Sequence, residues 1–156
     1  MSSKYFLAVF SVTSWREFLR NGAKVYGTTG NQINRAKKLQ KGDLLICYIT
    51  GFSQFVGIVE IISDAYVDKS RIWEEDTFPV RFDVRLIEKL SEHSGISGKG
   101  LIGKITVLKN LNNPKKWWAF FINSLNEFPA EDGEYLVNEI KMKADTIRNY
   151  REKSKK

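Results

Sequence analysis

The stretch that decides the fold lies at residues 41–61 and reads KGDLLICYITGFSQFVGIVEI. Two apolar runs, at 44–50 and 55–62, flank a short polar and aromatic turn, which is the pattern of two buried strands joined as a hairpin. Gly57 interrupts the second run. A glycine inside a strand indicates that a ligand or another part of the chain comes close, and the pattern alone leaves both explanations open.

Further strands and helices surround this hairpin. An apolar run at 5–10 predicts a strand, and so does the stretch 80–90, where apolar residues at even positions alternate with Arg81, Asp83 and Arg85. Helices are predicted after Ser14, whose spacing to Glu17 is that of a capping box, after Asn31, after Asn113 and from Glu131 onwards. The sequence therefore predicts one α+β domain over residues 1–156, with a mixed or barrel-like sheet and peripheral helices.

The chain is strongly basic. Its formal net charge is +7 and its pI is about 9.5, which favours polyanions such as DNA or RNA as partners. Five of the 25 basic residues lie in the last nine positions, so a solvated basic tail is an alternative source of much of this excess. We place the nucleic-acid interpretation first.

Three features bear on location in the cell. The first residues, MSSKYF, lack a signal-peptide pattern, and no apolar stretch approaches the length of a membrane span. The single cysteine, Cys47, lies in the apolar run LLICYI, which is typical of a small buried side chain. We therefore expect a cytoplasmic protein that has no internal disulfide and does not bind a membrane.

Few residues favour catalysis. His93 is the single histidine, so a metal site of His and Cys ligands is excluded by number, and no Gly-x-Ser-x-Gly nucleophile motif occurs. Glu74, Glu75 and Asp76 form the densest group of acids, but consecutive carboxylates do not converge on one ion unaided. We expect no enzymatic activity, metal or cofactor. A metal-dependent hydrolase or nuclease that uses these acids or His93 is the alternative.

Aromatic residues near loops indicate a binding surface. Tyr26 precedes a loop rich in Gly and Thr, Phe52 lies in the hairpin turn, and Trp73 lies among charged residues. Flat aromatic rings can hold a planar base by stacking, which contributes about 1–3 kcal/mol per base. Packing of Trp73 over the edge of the sheet explains the same pattern equally well, and the residues alone do not choose between the two.

The order of these segments resembles the EVE domain of the PUA-like superfamily. The motifs that carry the resemblance are KGDLLICYITG (41–51), FVGIVE (55–60), Tyr66, Ile72-Trp73 and FPVRFDV (78–84). The resemblance extends from residue 4 to about residue 125, and the helical segment from about 131 is less typical. EVE domains are similar to YTH domains, which read N6-methyladenine in RNA, and to PUA domains, which are small mixed β-barrels flanked by short helices.

The resemblance implies a non-catalytic domain that holds one nucleobase of DNA or RNA, carrying a modification, in an aromatic pocket beside the barrel. Readers of 5-methylcytosine and 5-hydroxymethylcytosine are expected in the family. Tyr26 stands where one wall of the YTH cage is a tryptophan, and Trp73 fits a second wall. Phe10 and Ser11 stand where YTH domains carry Ser-Asn, so the resemblance does not name the base. It also favours a bend or a close protein neighbour at Gly57 over a ligand contact.

The expected site residues fall into two groups, the pocket that the resemblance implies and the basic residues outside it. The pocket is expected to comprise Phe10, Ser11, Tyr26, Thr50, Gly51, Phe52 and Trp73. Phosphate contacts are expected from Lys24, Arg35, Lys37, Lys38 and Arg71, with Lys115 and Lys116 as further candidates. A pocket that takes a small molecule or a partner protein is the alternative, and it predicts no salt-dependent affinity for DNA or RNA.

Overall fold

The computed structural model describes residues 3–109, 111 and 113–154. Its strands are β1 (Tyr5–Phe10), β2 (Val25–Thr28), β3 (Leu44–Ile49), β4 (Gln54–Ile61), β5 (Tyr66–Val67), β6 (Val80–Lys89), β7 (Ile96–Ser97) and β8 (Glu127–Phe128). Its α-helices are α1 (Val12–Arg20), α2 (Ile33–Ala36) and α3 (Ala130–Ser154). Short 3-10 segments cover Gly30–Gln32, Lys99–Leu101, Thr106–Leu108 and Pro114–Ile122.

The strands form one sheet in the order β2-β6-β4-β3-β1-β8, with β5 paired to β6 and β7 to β4. β1 and β3 run parallel, and the other described pairs are antiparallel. Three strands separate β2 from β1 in this order, yet the ring centroids of Phe10 and Tyr26 lie 5.3 Å apart. The sheet is therefore curled, which confirms the predicted α+β class with a barrel-like sheet. The curl leaves a seam between β1 and β2.

The hairpin of β3 and β4 confirms the prediction from residues 41–61. The ladder shifts between Cys47 and Tyr48, opposite Gly57. A Cβ on Gly57 would lie 3.0 Å from Cη2 of Trp15 and 3.2 Å from the carbonyl oxygen of Glu88. The expectation of a close protein neighbour at this glycine is therefore confirmed.

The strands read as apolar runs because both faces of the sheet are covered. Phe6 and Phe10 point into the curl, where they meet Trp15 and Phe18 of α1. Leu7, between them in β1, belongs to a second cluster on the outer face. The predicted burial of the single cysteine is confirmed, because Cys47 lies in the inner cluster and is completely buried.

Helix α3 covers the outer face. Leu136, Ile140 and Ala144 recur every four residues and are buried, as expected of a helix that packs along one side. Gly133 lets the first turn lie on Tyr5, since a Cβ there would approach Cγ of that ring to 2.1 Å. Within the described residues no helix is both long and apolar enough to cross a lipid bilayer.

Two local predictions were wrong. The N-cap of α1 is Ser11, because its hydroxyl accepts from the Ser14 amide at 3.0 Å while the Ser14 hydroxyl accepts from the Ser11 amide at 3.0 Å. Ser14 thus completes the box, and Glu17 turns inward. The segment after Asn113 is a 3-10 segment with a kink at Lys116 rather than a regular helix. Arg81, which stands among the charged residues that alternate with the apolar face of β6, is 1% exposed.

Candidate functional site

A cavity of about 260 Å³ lies at the seam between β1 and β2. Its walls come from the end of β1, the start of α1, the end of β2 with the following loop, the loop before β6 and the segment before β8. The lining residues are Val9, Phe10, Ser14, Gly27, Thr28, Thr29, Asn31, Gln32, Trp73, Phe78, Ile122, Asn123 and Ser124. The volume is just below the roughly 300–1,000 Å³ of pockets for drug-sized ligands, so the cavity suits one planar ring system.

Three larger hollows differ from this cavity in chemistry. The smallest of them, of about 290 Å³, has one aromatic residue, Tyr135, beside the charged Lys104, Glu139 and Lys143, and the other two have none. One, of about 400 Å³, lies between the end of β6 and α3 and is lined by Lys89, Arg148, Arg151 and small or aliphatic residues. The other, of about 600 Å³, lies beside β2 and β6 and has a mostly aliphatic lining. Neither lining includes an aromatic ring, whereas the cavity at the seam combines three aromatic side chains with hydroxyl and amide groups. The seam cavity is therefore the candidate site for a flat polar ligand.

The wall formed by Trp73 depends on a glycine in β2. A Cβ on Gly27 would lie 2.6 Å from Cη2 of Trp73 and 2.8 Å from the carbonyl oxygen of Phe78. Because the glycine has no side chain, the indole can lie directly on the strand. Phe78 stands edge-on to it, with ring centroids 5.5 Å apart. Trp73 is 3% exposed, so only a small part of its ring faces the solvent-accessible space of the cavity.

Arg81 of β6 holds the loop that carries Trp73. Its Nε donates to the Phe78 carbonyl at 3.1 Å, and its Nη2 donates to the Thr77 carbonyl at 2.9 Å. The same guanidinium donates to the hydroxyl of Ser70 at 3.0 Å and to its carbonyl oxygen. Its carbon Cζ lies 5.2 Å from the centroid of the Trp73 ring. One buried side chain thereby satisfies the carbonyls of an irregular loop and fixes the indole.

Two residues of the α1 region tie the same loop from the other side. The buried carboxylate of Glu17 accepts from the Glu74 amide at 3.1 Å. The hydroxyl of Ser11 donates to Oε1 of Glu75 at 2.6 Å. Ser11, predicted as a base contact, thus caps α1 and anchors the loop, and it does not line the cavity.

Tyr26 lies behind the cavity rather than in its wall. The residue is 1% exposed and packs against Phe10, and its phenol donates to the hydroxyl of Ser124 at 2.6 Å. Burial raises the pKa of this phenol far above its usual value, so it stays protonated and available as a donor. The structure places Tyr26 as a support for Ser124, whereas the sequence predicted an aromatic wall.

Ser124 is held by the edge of β1 that continues beyond the pairing with β8. The Leu7 amide donates to the Asn126 carbonyl at 2.9 Å, and the next amide on that edge, of Val9, donates to the hydroxyl of Ser124 at 2.9 Å. The following residue, Leu125, has a φ of +68°. Bulky residues rarely adopt positive φ, and Phe78 on the opposite side of the cavity has a φ of +42°. Such outliers cluster at ligand sites.

The remaining predicted pocket residues divide. Phe10 lines the cavity together with Trp73. Thr50 donates its amide to the Phe10 carbonyl at 3.0 Å, which puts it behind the wall. Gly51 lies against Val12, and Phe52 pairs with His93 at 4.8 Å between ring centroids. The structure therefore does not bring the hairpin turn into the lining of the cavity.

The predicted phosphate-contact residues are exposed, and none of them lines the seam cavity. The loop that lines the cavity ends at Gln32 and leads into α2, which carries Arg35 and is followed by Lys37 and Lys38. Nη1 of Arg35 donates to Oδ1 of Asn126 at 2.6 Å. Lys24 precedes β2 and lines a small hollow on the far side of Trp73. Arg71 donates to the carbonyl oxygen of Glu74 within the Trp73 loop. Lys115 and Lys116 are also exposed, in the segment that leads to Ile122.

The acids considered for catalysis do not converge in the described residues. Glu74, Glu75 and Asp76 are exposed, and Asp76 accepts from the Thr77 amide at 2.7 Å. His93 has a 69% exposed side chain beside Glu92. Among the residues that the structure describes, no group of three or more His, Cys, Asp or Glu side chains is arranged to hold a metal ion.

Sequence reasoning missed several residues of the site. Gly27 and Phe78 flank predicted elements, and the Phe-Pro pair before β6 was a signal that the chain turns there. Gln32 lies in a polar loop where nothing in the sequence distinguishes it from its neighbours. Ser124 accepts a hydrogen bond from the amide of Val9, which lies 115 residues away in the sequence. No local pattern could connect the two residues.

Comparison with known proteins gives relatives and structural neighbours that align with most of this chain and with most of their own length. A UPF0310 protein of Pyrococcus abyssi is 28% identical over 141 residues, which cover 82% of this chain and 93% of that protein. The YTH domain of Zygosaccharomyces rouxii MRB1 protein, solved in complex with N6-methyladenosine RNA, superposes with a TM-score of 0.63 at 18% identity, covering 88% of this chain and 86% of that one. Rpa0253 from Rhodopseudomonas palustris superposes with a TM-score of 0.60 at 20% identity, covering 89% and 94%.

The structural likeness confirms the predicted PUA-like fold related to YTH domains. The family model of the EVE domain matches residues 4–99, which include the seam strands β1 and β2, the hairpin and the Trp73 loop. That match extends over more than half of the chain. The chain belongs to the EVE domain family.

Proposed function

We propose that this chain is a non-catalytic nucleic-acid-binding domain that receives a single nucleobase, carrying a modification, in the seam cavity. The observation that carries the proposal is the cavity itself. It has room for one planar ring, its walls include Phe10, Trp73 and Phe78, and polar groups line the rest. Stacking on such rings supplies affinity for any base, while hydrogen bonds to the base edge supply selectivity.

Relatives support a nucleic-acid ligand. The neighbouring YTH domain of Zygosaccharomyces rouxii was solved with N6-methyladenosine RNA, and the Pho92 YTH domain was solved with m6A. Both share the fold of this chain at 18–20% identity. We extend from them the type of ligand, a nucleic acid that carries a modified base, and leave the choice of base to experiment.

Charge supports the same ligand. The net charge of +7 attracts a polyanion, and Arg35, Lys37 and Lys38 follow the cavity loop directly, where they would contact phosphates on one side of an inserted nucleotide. Lys24 and Arg71 would contact phosphates on the side of the Trp73 loop. These contacts hold the strand and do not read its sequence.

The test is fluorescence polarisation with single- and double-stranded DNA and RNA probes at two salt concentrations. The probes differ in one central base, which is unmodified or is N6-methyladenine, 5-methylcytosine or 5-hydroxymethylcytosine. We expect one modified probe to bind more tightly than its unmodified twin, and the preference to persist at the higher salt concentration because stacking and base-edge contacts are less screened than phosphate contacts.

Substitution of the wall separates a pocket from general charge attraction. Trp73→Ala should abolish the preference for the modified base, while Trp118→Ala, which removes an exposed tryptophan outside the lining, should keep it. A preference that survives Trp73→Ala would contradict the proposed site. If none of the DNA or RNA probes shows salt-dependent binding, a small-molecule or protein ligand is favoured instead.

A further inference from the structure

Three cations from two elements meet at the hollow of about 400 Å³ between the end of β6 and α3. Arg148 and Arg151 share one face of α3, and Lys89, the last residue of β6, lines the opposite side. Leu90 and Ala144 also line the hollow and are buried, so they lie beneath the charged groups. The three cations therefore surround one concave space and are not scattered over the surface.

Two of these cations have no carboxylate partner among the described residues. Arg148 forms ion pairs with Glu88, at 3.1 Å, and with Asp145. Lys89 and Arg151 take part in none of the ion pairs of the described part of the chain. Because like charges held close together repel each other, the arrangement favours the entry of an anion.

The ion pairs of Arg148 fix its guanidinium and leave part of it available. Nη1 donates to Oε1 of Glu88 at 3.1 Å, and Nη2 donates to Oε2 of Glu88 at 3.2 Å and also to Asp145. A guanidinium has five N–H donors, so the Nε donor and one donor of Nη1 have no acceptor among the described residues. An oriented arginine with donors to spare suits the oxygens of a phosphate group.

Stabilisation of the helix dipole explains only part of this charge. α3 carries Glu131 and Asp132 in its first turn and Arg151 and Lys153 in its last turn, which is the distribution that the dipole favours. The effect of the dipole falls off within the last turn. It therefore does not account for Lys89, which belongs to a different element and lines the same hollow.

The hollow lies far from the seam cavity. Val80 at the start of β6 pairs with Thr28 of the cavity wall, whereas Lys89 ends the same strand. A strand of 10 residues spans about 30 Å. Successive phosphates in one strand of duplex DNA are spaced by about 3.4 Å along the axis, so roughly nine base pairs separate the two places.

We propose, resting on the nucleic-acid partner proposed above, that Lys89, Arg148 and Arg151 form a second contact surface for the phosphate backbone. We call these three residues the outer basic surface. Their side chains donate to phosphate oxygens, and the hydroxyls of Ser91 and Ser94, which line the same hollow, supply further donors. The outer basic surface reads no bases and contributes salt-dependent affinity. Part of the basic C-terminal segment is thereby a binding surface and not only a solvated end.

Variants that remove charge test this surface and leave the seam unaltered. Lys89→Gln and Arg151→Gln change exposed side chains and are made singly and together. Fluorescence polarisation measures the affinity for DNA and RNA probes of about 20 nucleotides, long enough to reach both places, over a series of salt concentrations. Each lost phosphate contact should make the slope of log K against log salt concentration shallower by about 1, so the double variant should lose about 2.

Lys41→Gln and Arg20→Gln are the matched controls. They remove the same charges from exposed residues that line neither the hollow nor the seam cavity, and they should leave the slope nearly unchanged. An equal change of slope in the control pair and in the Lys89 and Arg151 pair would show general charge attraction and overturn the proposal. An unchanged slope in the Lys89 and Arg151 double variant would overturn it as well.

Trp73→Ala separates the outer basic surface from the proposed pocket. The double substitution should change the slope by the same amount with and without Trp73→Ala, because sites about 30 Å apart act independently. If Trp73→Ala leaves the base preference unchanged and the double substitution still makes the slope shallower, the pocket fails and the outer basic surface stands. If Trp73→Ala abolishes the preference and the double substitution changes nothing, the reverse holds.

Vesicles that contain phosphatidylserine form the last arm of the experiment, because lipid headgroups also carry phosphate. We expect the double substitution to change the salt dependence of nucleic-acid binding. If it abolishes binding to the vesicles and leaves the slope for nucleic acid unchanged, the surface serves an anionic lipid and the proposal is refuted.

Discussion

Two tryptophans in this protein lie on glycines of the sheet, and their surroundings differ. Trp15 of α1 lies over Gly57 in the inner core, where the ring centroids of Phe10 and Phe18 lie 5.0 and 5.5 Å from its own. Trp73 lies over Gly27 at the seam, with Phe78 on one side and the guanidinium of Arg81 near its ring. The glycine removes the same steric barrier in both places.

The difference lies in what the second side of each ring meets. Trp15 is enclosed by other side chains of a close-packed core. Trp73 borders the seam cavity and also a hollow of about 250 Å³ lined by Lys24 and Ile72. A ring packed on one strand but bordered by open space can make contacts with a ligand without rebuilding a core. The glycine contact thus supports core packing at β4 and a cavity wall at β2.

The largest expected effect separates the two rings by stability. Trp15→Ala should lower the free energy of unfolding by about 3–5 kcal/mol, because it leaves a cavity in the core. Trp73→Ala should lower it by less, about 2–3 kcal/mol, because the removed ring extends a cavity that is already present and does not leave a new one in the core. Urea denaturation followed by circular dichroism measures both. Equal losses would show that the Trp73 loop is as much a part of the core as α1.

Arg81→Met tests what holds the seam wall. The variant keeps the aliphatic stem but leaves the carbonyls of Ser70, Thr77 and Phe78 without a donor, so we expect a loss of about 3 kcal/mol. Hydrogen exchange should rise in residues 68–79 and stay unchanged in β3. Arg85→Met, at an exposed arginine of the same strand, is the control. Unchanged exchange in the loop would contradict the anchoring role.

The glycines themselves give a smaller effect. Gly57→Ala should cost about 1–3 kcal/mol of stability, because its Cβ would approach Trp15 to 3.0 Å. Gly27→Ala would bring a Cβ to 2.6 Å from Trp73 and should displace the ring into the cavity, which weakens binding of a base more than it weakens the fold. For both variants, affinity for the base-containing probe and stability to urea are measured. An equal loss of affinity in Gly57→Ala and Gly27→Ala would show that the two glycines do not differ in their importance for the cavity.

The smallest effect concerns the phenol behind the cavity. Burial raises the pKa of Tyr26 in the folded state above its ordinary value of 10.0. The contribution of this phenol to the free energy of unfolding is fully present below pH 10.0 and is lost as the pH rises further. The loss arises because the unfolded chain then releases the phenol proton, whereas the folded chain keeps it. The loss approaches about 1.4 kcal/mol per pH unit for one group. Tyr26→Phe should cost about 1 kcal/mol at pH 7 and make the decline in stability above pH 10 shallower.

To check this expectation, the free energy of unfolding is measured between pH 8 and 11 in the unaltered protein and in the variants Tyr26→Phe and Tyr150→Phe. Tyr150 is 74% exposed and serves as the control. Identical slopes in all three proteins would mean that other buried groups, such as Cys47, whose thiol pKa is also raised by burial, account for the alkaline loss.

Much of the fold could be read from the residues because its signals are local. The apolar runs at β1, β3 and β4 and the alternation in β6 follow from the two-residue period of a strand, and the predicted hairpin and long C-terminal helix appear in the structure. Gly57 indicated a point of close approach because it interrupts an apolar strand pattern, which is also a local signal. The motifs between residues 41 and 84 were sufficient to indicate the EVE family, which the match over residues 4–99 confirms.

The composition of the cavity was decided by contacts between distant parts of the chain. Tyr26 and Ser124 are 98 residues apart, and their hydrogen bond turns a predicted aromatic wall into a support for a hydroxyl. Arg81 follows the alternation of its strand, yet the loop 68–79 folds over it and buries it. A side chain's period along a strand determines which face it occupies. What covers that face depends on the curl of the sheet and the return of residues 122–124 to its seam, which no local pattern encodes.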